Sequence, residues 1–209
     1  GAKPVRSGGH ELDGRRIDLA GVAPGEALRS GIALVPSDRQ RDGALLEVTV
    51  LDNLMMQVIG SYRPWRLDGR AMAARAGELL EEFDVRPRDP DALFGSLSGG
   101  NQQKVALAKW LEAEPGVLLL HEPTQGVDVG AREQIFDLLG RAAADGLAVM
   151  CASSDSEQLA QICDRVLIVA RGEIVRELSG ADLTKEEISK QVLQSVTLSE
   201  MERFQEELV

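Results

Sequence analysis

The most informative residues for chemistry are 97–105, which read Leu-Ser-Gly-Gly-Asn-Gln-Gln-Lys-Val. Ser98 is placed to cap a helix, and Gly99 and Gly100 follow without side chains that would block a ligand. The free N–H groups and the positive dipole end of a helix N-terminus suit a phosphate group. We therefore expect a phosphate-binding helix start here. The alternative is an ordinary capped helix. Residues 98–100 taken alone favour this alternative, but the full nine-residue run argues against it.

A second candidate segment, residues 117–124, reads Val-Leu-Leu-Leu-His-Glu-Pro-Thr. Its apolar part predicts a buried strand, and ligand sites in α/β sheets lie beyond the carboxyl ends of strands. Glu122 is a candidate general base that would polarise an attacking water in phosphoryl transfer. A carboxylate that is merely exposed at a strand end is the alternative. Residues 126–130 predict a tight turn before a helix, which taken alone is structural.

The elements around these segments predict an α/β fold. Apolar runs at 117–120, 147–152 and 166–170 are separated by polar helical stretches near 130–144 and 155–162. Continuous apolar strands that alternate with helices are typical of a buried parallel sheet covered on both faces. Residues 31–36 form a further short β run that a proline ends.

The remaining pattern supplies a hairpin and several helices. An Asp-Gly turn between two short alternating runs predicts an antiparallel hairpin over residues 10–18. Helical spacing runs from about Asp52 to Phe83, with a breaker cluster at 60–64 and Asp68 as a candidate N-cap. A further helix is predicted from Ser98 to Leu111. The other predicted elements are a last strand at 173–178 and an acidic helix over 184–209.

Composition narrows the classes of function. The chain has 209 residues, 44% of them hydrophobic, and its 23 Lys and Arg against 34 Asp and Glu give a formal net charge of −11. This size predicts one domain, or one domain with a small appendage. An acidic chain without a basic block is a poor match for nucleic acid. No apolar run or leader suggests a membrane span or export, and two cysteines cannot build a disulfide framework or a zinc knuckle.

Taken together, the segments resemble the nucleotide-binding domain of ABC transporters over about residues 5–180. Residues 97–103 resemble the family's signature sequence, 118–124 its Walker B strand with the following glutamate, and 126–128 its D-loop. Residues 101–104 and 35–43 resemble more particularly the second, C-terminal ATPase half of bacterial monosaccharide importers of the ribose, galactose and xylose type. In that group the ATPase subunit is a tandem of two such domains.

The chain also departs from the family pattern. The phosphate loop G-x-x-x-x-G-K-[ST] does not occur, so the resemblance implies a partial ABC-type P-loop NTPase domain that lacks the Walker A strand and helix. His121 stands at the position of the Walker B aspartate, and a neutral imidazole is a poor partner for Mg²⁺. Ser154 takes the place of the switch histidine. Ser37, with Asp38, forms a Q-loop-like segment that lacks the usual glutamate or glutamine.

The resemblance implies a division of labour across a dimer. The nucleotide-binding residues are expected to serve a partner's ATP site rather than one in this chain: Ser98, Gly99, Gly100, Asn101 and Gln102. ATP and Mg²⁺ are expected in the complete dimeric assembly, with neither held tightly by this fragment and no dedicated metal site. The implied partners are the first ATPase half of the same subunit or a second ATPase subunit, a transmembrane permease and, indirectly, a sugar-binding protein. The implied location is the cytoplasmic face of the membrane.

Several alternatives stay open at this stage. Glu122 is either a catalytic base or a relic that caps the next helix, so it is open whether the chain is an enzyme. Other functions compatible with the residues are a soluble ABC ATPase without a transporter and a catalytically inactive pairing module. The aromatic stretch 62–65 predicts either an interface or a local core. We divide the chain into a β and Q-loop-like region (1–48), a helical signature subdomain (49–112), a Walker B, D-loop and switch core (113–180) and a helical extension (181–209).

Overall fold

A computed structural model describes residues 8–12, 14–18, 20, 22–59 and 68–206 of the chain. The chain divides into two compact units, Gly1–Ala152 and Ser153–Val209. The aromatic stretch 62–65 and the breaker cluster at 60–64 lie outside the described residues. No helix among the described residues is both long and apolar enough to cross a membrane. The division into four segments remains a prediction.

The first unit opens with the hairpin that the Asp-Gly turn predicts. Strands β1 (Gly9–Leu12) and β2 (Arg15–Asp18) pair antiparallel, with Leu12 opposite Arg15. The Leu12 side chain lies over Gly116, where a Cβ would meet it at 2.6 Å. A short helix, α1 (Pro24–Arg29), then leads into the central sheet.

The central sheet of the first unit is parallel and has the order β3-β4-β5. Its strands are β3 (Ile32–Val35), β4 (Val117–His121) and β5 (Ala148–Ala152). One face is buried through residues such as Val35, Leu118 and Leu120. The expectation that both faces are covered is wrong: Leu34 and Met150 on the opposite face are 49% and 63% exposed. Apolar runs predict strands, but burial depends on which elements lie over each face.

Three helices build the part between β3 and β4. They are α2 (Val50–Met55), α3 (Gly69–Glu82) and α4 (Gly99–Leu111). Thr49 begins α2 with a capping box to Asp52, and Asp68 caps α3 as predicted. A short 3-10 turn, Phe94–Ser96, precedes α4. Residues 102–109 of α4 are all buried, which makes this helix the centre of the unit.

Between β4 and β5 lies α5 (Val129–Ala144), whose buried residues include Ile135, Phe136 and Leu139. The helix begins where the sequence predicts it. Asp128 is its N-cap, and its side chain accepts a hydrogen bond from the Ala131 N–H at 3.0 Å.

The second unit contains a strand pair and two helices. Helix α6 (Ser156–Ile162) precedes strands β6 (Arg165–Ala170) and β7 (Glu173–Ser179), and α7 (Lys185–Glu206) ends the described chain. The expectation that the run 166–170 joins the parallel sheet is not met in the described residues: β6 pairs antiparallel with β7. An apolar run identifies a strand but not the direction or identity of its neighbour.

Candidate functional site

The N-terminus of α4 has unsatisfied backbone donors. Ser98 occupies the N-cap position, but its side chain makes no capping hydrogen bond, contrary to the sequence-based expectation. Among the described residues, the N–H groups of Gly99, Gly100 and Asn101 have no hydrogen-bond partner, and the first intrahelical bond is donated by Gln102 N–H to Ser98 O. Three free donors at the positive end of a helix form an anion-binding arrangement.

The Ser98 hydroxyl is oriented by its neighbour in the helix. Asn101 Nδ2 donates to Ser98 Oγ at 2.9 Å, while Asn101 Oδ1 accepts from the Arg86 N–H at 2.9 Å. Because Ser98 Oγ already accepts this bond, its own O–H proton is available to a ligand. Ser98 itself is exposed. The Asn101 side chain therefore links the backbone at Arg86 to the Ser98 hydroxyl at the start of α4.

Gly99 and Gly100 are required by contacts within the chain. A Cβ on Gly99 would lie 2.6 Å from Gly126 O and 2.7 Å from Arg39 Nη2. A Cβ on Gly100 would lie 2.6 Å from the Ala131 Cβ on α5. The sequence interpretation assigned the glycines to ligand approach. The structure adds that they let α4 sit directly against α5 and the turn before it.

Gln102 is a buried connector between segments. Its side chain is 3% exposed, donates from Nε2 to Leu97 O at 3.2 Å, and accepts at Oε1 from Arg39 Nε and Gln40 Nε2, both at 3.3 Å. The amide is thus occupied by partners on both sides. Gln102 therefore holds the start of α4 against residues 39–40.

A polar cavity of about 280 Å³ adjoins the same end of α4. It is lined by α4, the start of α5 and the link at 84–86. Lys104 is 4% exposed and donates from Nζ to Asp84 O at 2.9 Å. Burial lowers the pKa of Lys104, and the carboxylate of Asp84 offsets part of that effect. The lysine places positive charge six residues after Ser98, between one and two helical turns along α4.

The second candidate segment ends β4 in a turn that we call the 122–128 turn. Glu122 begins it with φ of 49°, a left-handed conformation that is uncommon for residues other than glycine. Its N–H donates to Ala152 O at 2.8 Å, and its carbonyl accepts from Gln125 N–H at 3.1 Å. His121, just before it, is exposed at the end of the strand. The turn then delivers Asp128 to the start of α5.

The Q-loop-like residues lie close to α4. Ser37 is half-buried, and Asp38 caps the π-helical turn Arg39–Gly43 by accepting from the Arg41 N–H at 3.1 Å. Arg39 extends from this turn to both Gln102 and Gln125. Ser154 belongs to the second unit, where it is exposed shortly before α6.

The structure thus brings together the α4 start, the Q-loop-like segment and the 122–128 turn. Arg39 connects two of these segments. Sequence patterning does not reveal this role, because its partners, Gln102 and Gln125, are 63 and 86 residues away in sequence. The contribution of Lys104 was missed for a related reason, since its burial depends on residues before α4.

The residues present fit a phosphate group but not a metal ion. The free N–H groups at Gly99, Gly100 and Asn101 match an anion. Among the described residues there is no group of three His, Cys, Asp or Glu side chains that could hold a metal ion. His121 and Glu122 alone supply one nitrogen and one carboxylate, a weak set for Mg²⁺.

The fold, with its open helix start at Ser98, is that of an ATP-binding cassette. The sequence pattern of the family described as ABC transporter matches residues 2–125, more than half of the 209-residue chain. The chain therefore belongs to the ABC transporter family, as the motifs at 97–103 and 118–124 predicted.

The similar curated proteins are ATP-binding subunits of sugar importers. The chain is 40% identical over 190 residues to an arabinose import ATP-binding protein, AraG 2, of Burkholderia cenocepacia, covering 90% of the chain and 36% of that protein. It is 42% identical over 189 residues to a putative ribose/galactose/methyl galactoside import ATP-binding protein of Rhizobium meliloti, covering 90% and 37%. The chain thus spans little more than a third of the length of these relatives.

Solved structures support the fold. A nucleotide-free ATP-binding cassette of an ABC transporter aligns with a TM-score of 0.70 at 24% identity, covering 86% of this chain and 74% of that one. A dimeric cassette in a post-hydrolysis state, bound to ADP and Pi, aligns with a TM-score of 0.66 at 26% identity, covering 80% and 71%. The predicted α/β class, with a parallel sheet and an antiparallel hairpin, is confirmed.

Proposed function

We propose that this chain is the C-terminal ATPase half of a sugar-import ATP-binding subunit, and that the start of α4 completes the ATP site of a partner ATPase domain. The observation that carries the proposal is the set of three free N–H groups at Gly99, Gly100 and Asn101, beside the Ser98 hydroxyl. The relatives that the chain resembles over 90% of its length are named as sugar import ATP-binding proteins.

In this proposal the residues of α4 bind and orient the terminal phosphates of ATP held by the partner's phosphate loop. The N–H groups and the Ser98 O–H donate to phosphate oxygens, and the helix dipole adds favourable potential. Lys104 adds positive charge behind them, which the nearby carboxylates of Asp84 and Asp128 partly balance. These interactions strengthen as charge develops on the transferring phosphoryl group, because preorganised donors pay no reorganisation cost.

The chain does not hydrolyse ATP by itself in this proposal. The sequence has no phosphate loop, and His121 and Glu122 do not form a magnesium site. Glu122 holds a conformation typical of constrained functional positions, although Asp84, Glu114 and Arg171 also have positive φ in ordinary turns. The geometry of Glu122 therefore fits both interpretations, a general base in its own half-site and a residue retained for the turn. Substitution of Glu122 is the experiment that distinguishes them.

The proposed partners are a first ATPase half or a second ATPase subunit, a transmembrane permease and, through it, a sugar-binding protein. The proposed location is the cytoplasmic face of the membrane, held there by the permease. The coding sequence next to this chain provides the first test. We expect a G-x-x-x-x-G-K-[ST] loop and a first ATPase half upstream, with permease and sugar-binding-protein genes adjacent. A soluble ATPase without a transporter would lack the adjacent genes.

The decisive experiment replaces Ser98 by arginine in the full-length subunit and measures ATP turnover. The large side chain would fill the space that the phosphates need, so we expect hydrolysis at the partner's site to fall by at least about a hundredfold, the scale for losing an oxyanion-type donor. Ala74→Arg on the exposed side of α3 is the matched control, since it adds the same side chain elsewhere. Unchanged turnover in Ser98→Arg, with binding of ATP intact, would refute the role assigned to α4.

A further inference from the structure

Arg39 occupies a junction between three segments of the first unit. It begins the π-helical turn Arg39–Gly43, which we call the 39–43 turn, and its guanidinium is half-buried. Nη1 donates to Gln125 O at 2.8 Å, and Nε donates to Gln102 Oε1 at 3.3 Å. Nη2 lies 2.7 Å from the position that a Cβ on Gly99 would occupy. One side chain therefore contacts the start of α4 and the 122–128 turn at once.

The 39–43 turn is attached to α4 at both ends. At its first end, Arg39 and Gln40 both donate to Gln102 Oε1. At its last end, the buried Lys109 donates from Nζ to Gly43 O. These bonds make the turn and α4 one block. The bond from Arg39 Nη1 to Gln125 O then connects this block to the 122–128 turn.

The contacts of Arg39 are made to neutral groups. Within residues 22–59 and 68–206, no carboxylate lies within ion-pair distance of its guanidinium, and its partners are an amide and a carbonyl. Burial lowers the pKa of Arg39, partly offset by the field of Asp38. A side chain held in this way contributes directed donors rather than charge neutralisation. The planar fork of arginine supplies two donors in fixed directions, which a lysine ammonium does not reproduce.

We infer that Arg39 is a positioning residue that fixes the first turn of α4, with Ser98 and Gly99, relative to the 122–128 turn, with Gln125 and Asp128. This inference rests on the proposed function for its consequence in ATP turnover, but not for its structural part. The free N–H groups of α4 are useful only where they meet the phosphates in register. A displacement of about 1 Å is enough to lower the rate of a preorganised reaction by a large factor.

The first experiment uses hydrogen exchange on the isolated 209-residue chain. In Arg39→Gln and Arg39→Lys we expect the hydrogen-bonded amides within residues 125–128, those of Gln125 and Val127, to exchange about tenfold faster, the factor that corresponds to one hydrogen bond from a charged donor. Arg41→Gln is the matched control, because Arg41 lies in the same turn and its 82% exposed side chain pairs with the neighbouring Asp42 rather than with α4 or the 122–128 turn. Exchange in residues 104–108 is expected to stay unchanged, which establishes that the variants are folded.

The second experiment measures ATP turnover of the full-length subunit. We expect Arg39→Lys and Arg39→Gln to lower kcat about tenfold or more while KM changes less than about twofold, since ATP is held mainly by the partner. Arg41→Gln is expected to match the wild type. A change in KM with kcat unaltered, or full activity in Arg39→Lys, would contradict the positioning role.

The two readouts separate failure of this inference from failure of the proposed function. If Ser98→Arg leaves turnover intact, the proposed function fails, while the exchange experiment still tests Arg39. If the exchange of residues 125–128 is unchanged in Arg39→Gln, the positioning role is refuted whatever the turnover. Should Arg39→Gln fold poorly, Arg39→Lys, which keeps the charge and the aliphatic stem, gives the same comparison.

Discussion

Lys109 Nζ donates a hydrogen bond to the carbonyl oxygen of Gly43 from a site where the lysine is only 3% exposed. The ammonium also lies 5.1 Å from the centroid of the Trp110 ring, a cation–π distance. This bond joins the buried centre of α4 to the end of the 39–43 turn. It uses a charged donor where no described carboxylate pairs with it, and desolvation lowers the pKa of Lys109 to about 8.

We predict that Lys109 makes the stability of the chain rise with pH above about 8. Its folded-state pKa of about 8 lies below the ordinary value of 10.5. Between these values the unfolded chain binds a proton that the folded chain has released, so the free energy of unfolding increases with pH there. The destabilisation caused by burying the charged lysine is fully present below pH 8 and disappears towards pH 10.5.

The measurement is urea denaturation of the wild type and Lys109→Met at pH 7, 8, 9 and 10. Methionine keeps the apolar stem and carries no titratable group, so a pH-dependent difference between the two proteins reports the titration of Lys109. We expect the wild type to gain up to about 3 kcal/mol relative to the variant across this range. Parallel curves for the two proteins would contradict the prediction.

Gly100→Ala is predicted to destabilise the chain, because its Cβ would lie 2.6 Å from the Ala131 Cβ. Overpacking of this kind costs about 1–3 kcal/mol. Gly140→Ala is the matched control: this helical glycine has no atom within 4 Å of the added Cβ. We expect that change to stabilise by about 0.5–1 kcal/mol through helix propensity. Thermal unfolding of both variants gives the comparison, and equal effects would refute the packing role of Gly100.

The sequence predicts local elements well where the signal is short-range. The hairpin needs only its Asp-Gly turn, and α4 needs only the run from Ser98 to Leu111, so both appear as expected. The contacts that build the site are long-range. The pair Arg39 and Gln125 is 86 residues apart, and nothing in periodicity or propensity links them. The packing reason for Gly100 was likewise invisible, because it depends on Ala131 in another helix.

Strand pairing and burial set a second limit. The runs at 147–152 and 166–170 look alike in sequence, yet β5 joins the parallel sheet and β6 pairs antiparallel with β7. Apolar content also overstated burial, since Met150 is 63% exposed. A run of apolar residues specifies that a strand has two apolar faces. Which neighbours cover them is decided elsewhere in the chain.

The ion pair between Arg75 on α3 and Glu112 at the end of α4 is predicted to couple these helices. Arg75 donates from Nε and Nη2 to both carboxylate oxygens, with Nη2 at 2.7 Å from Oε2, and this pairing raises its pKa. Glu112 is 16% exposed, which limits screening by solvent. A double-mutant cycle with Arg75→Ala and Glu112→Ala is expected to give a coupling of about 1–2 kcal/mol.

The exposed pair of Arg88 and Glu81 provides the control cycle. Their side chains are 41% and 72% exposed, and one bond of 3.0 Å joins them. We expect a coupling below about 0.5 kcal/mol, as for most solvated ion pairs. If both cycles give the same coupling energy, burial and the two-point geometry do not strengthen the ion pair of Arg75, and the prediction is wrong.

The isolated chain is predicted to bind ATP only weakly. Three N–H groups and the Ser98 hydroxyl are available to phosphate oxygens, whereas the formal net charge of −11 opposes a polyanion and the sequence contains no phosphate loop. We expect a Kd on the order of 1 mM, equivalent to about −4 kcal/mol, in isothermal titration calorimetry. Raising the salt concentration should weaken this binding little, since helix-end donors act at short range while the repulsion is screened. Sub-micromolar binding that survives Ser98→Arg would mean that this chain carries a complete nucleotide site elsewhere, and the division of the ATP site between two domains would be wrong.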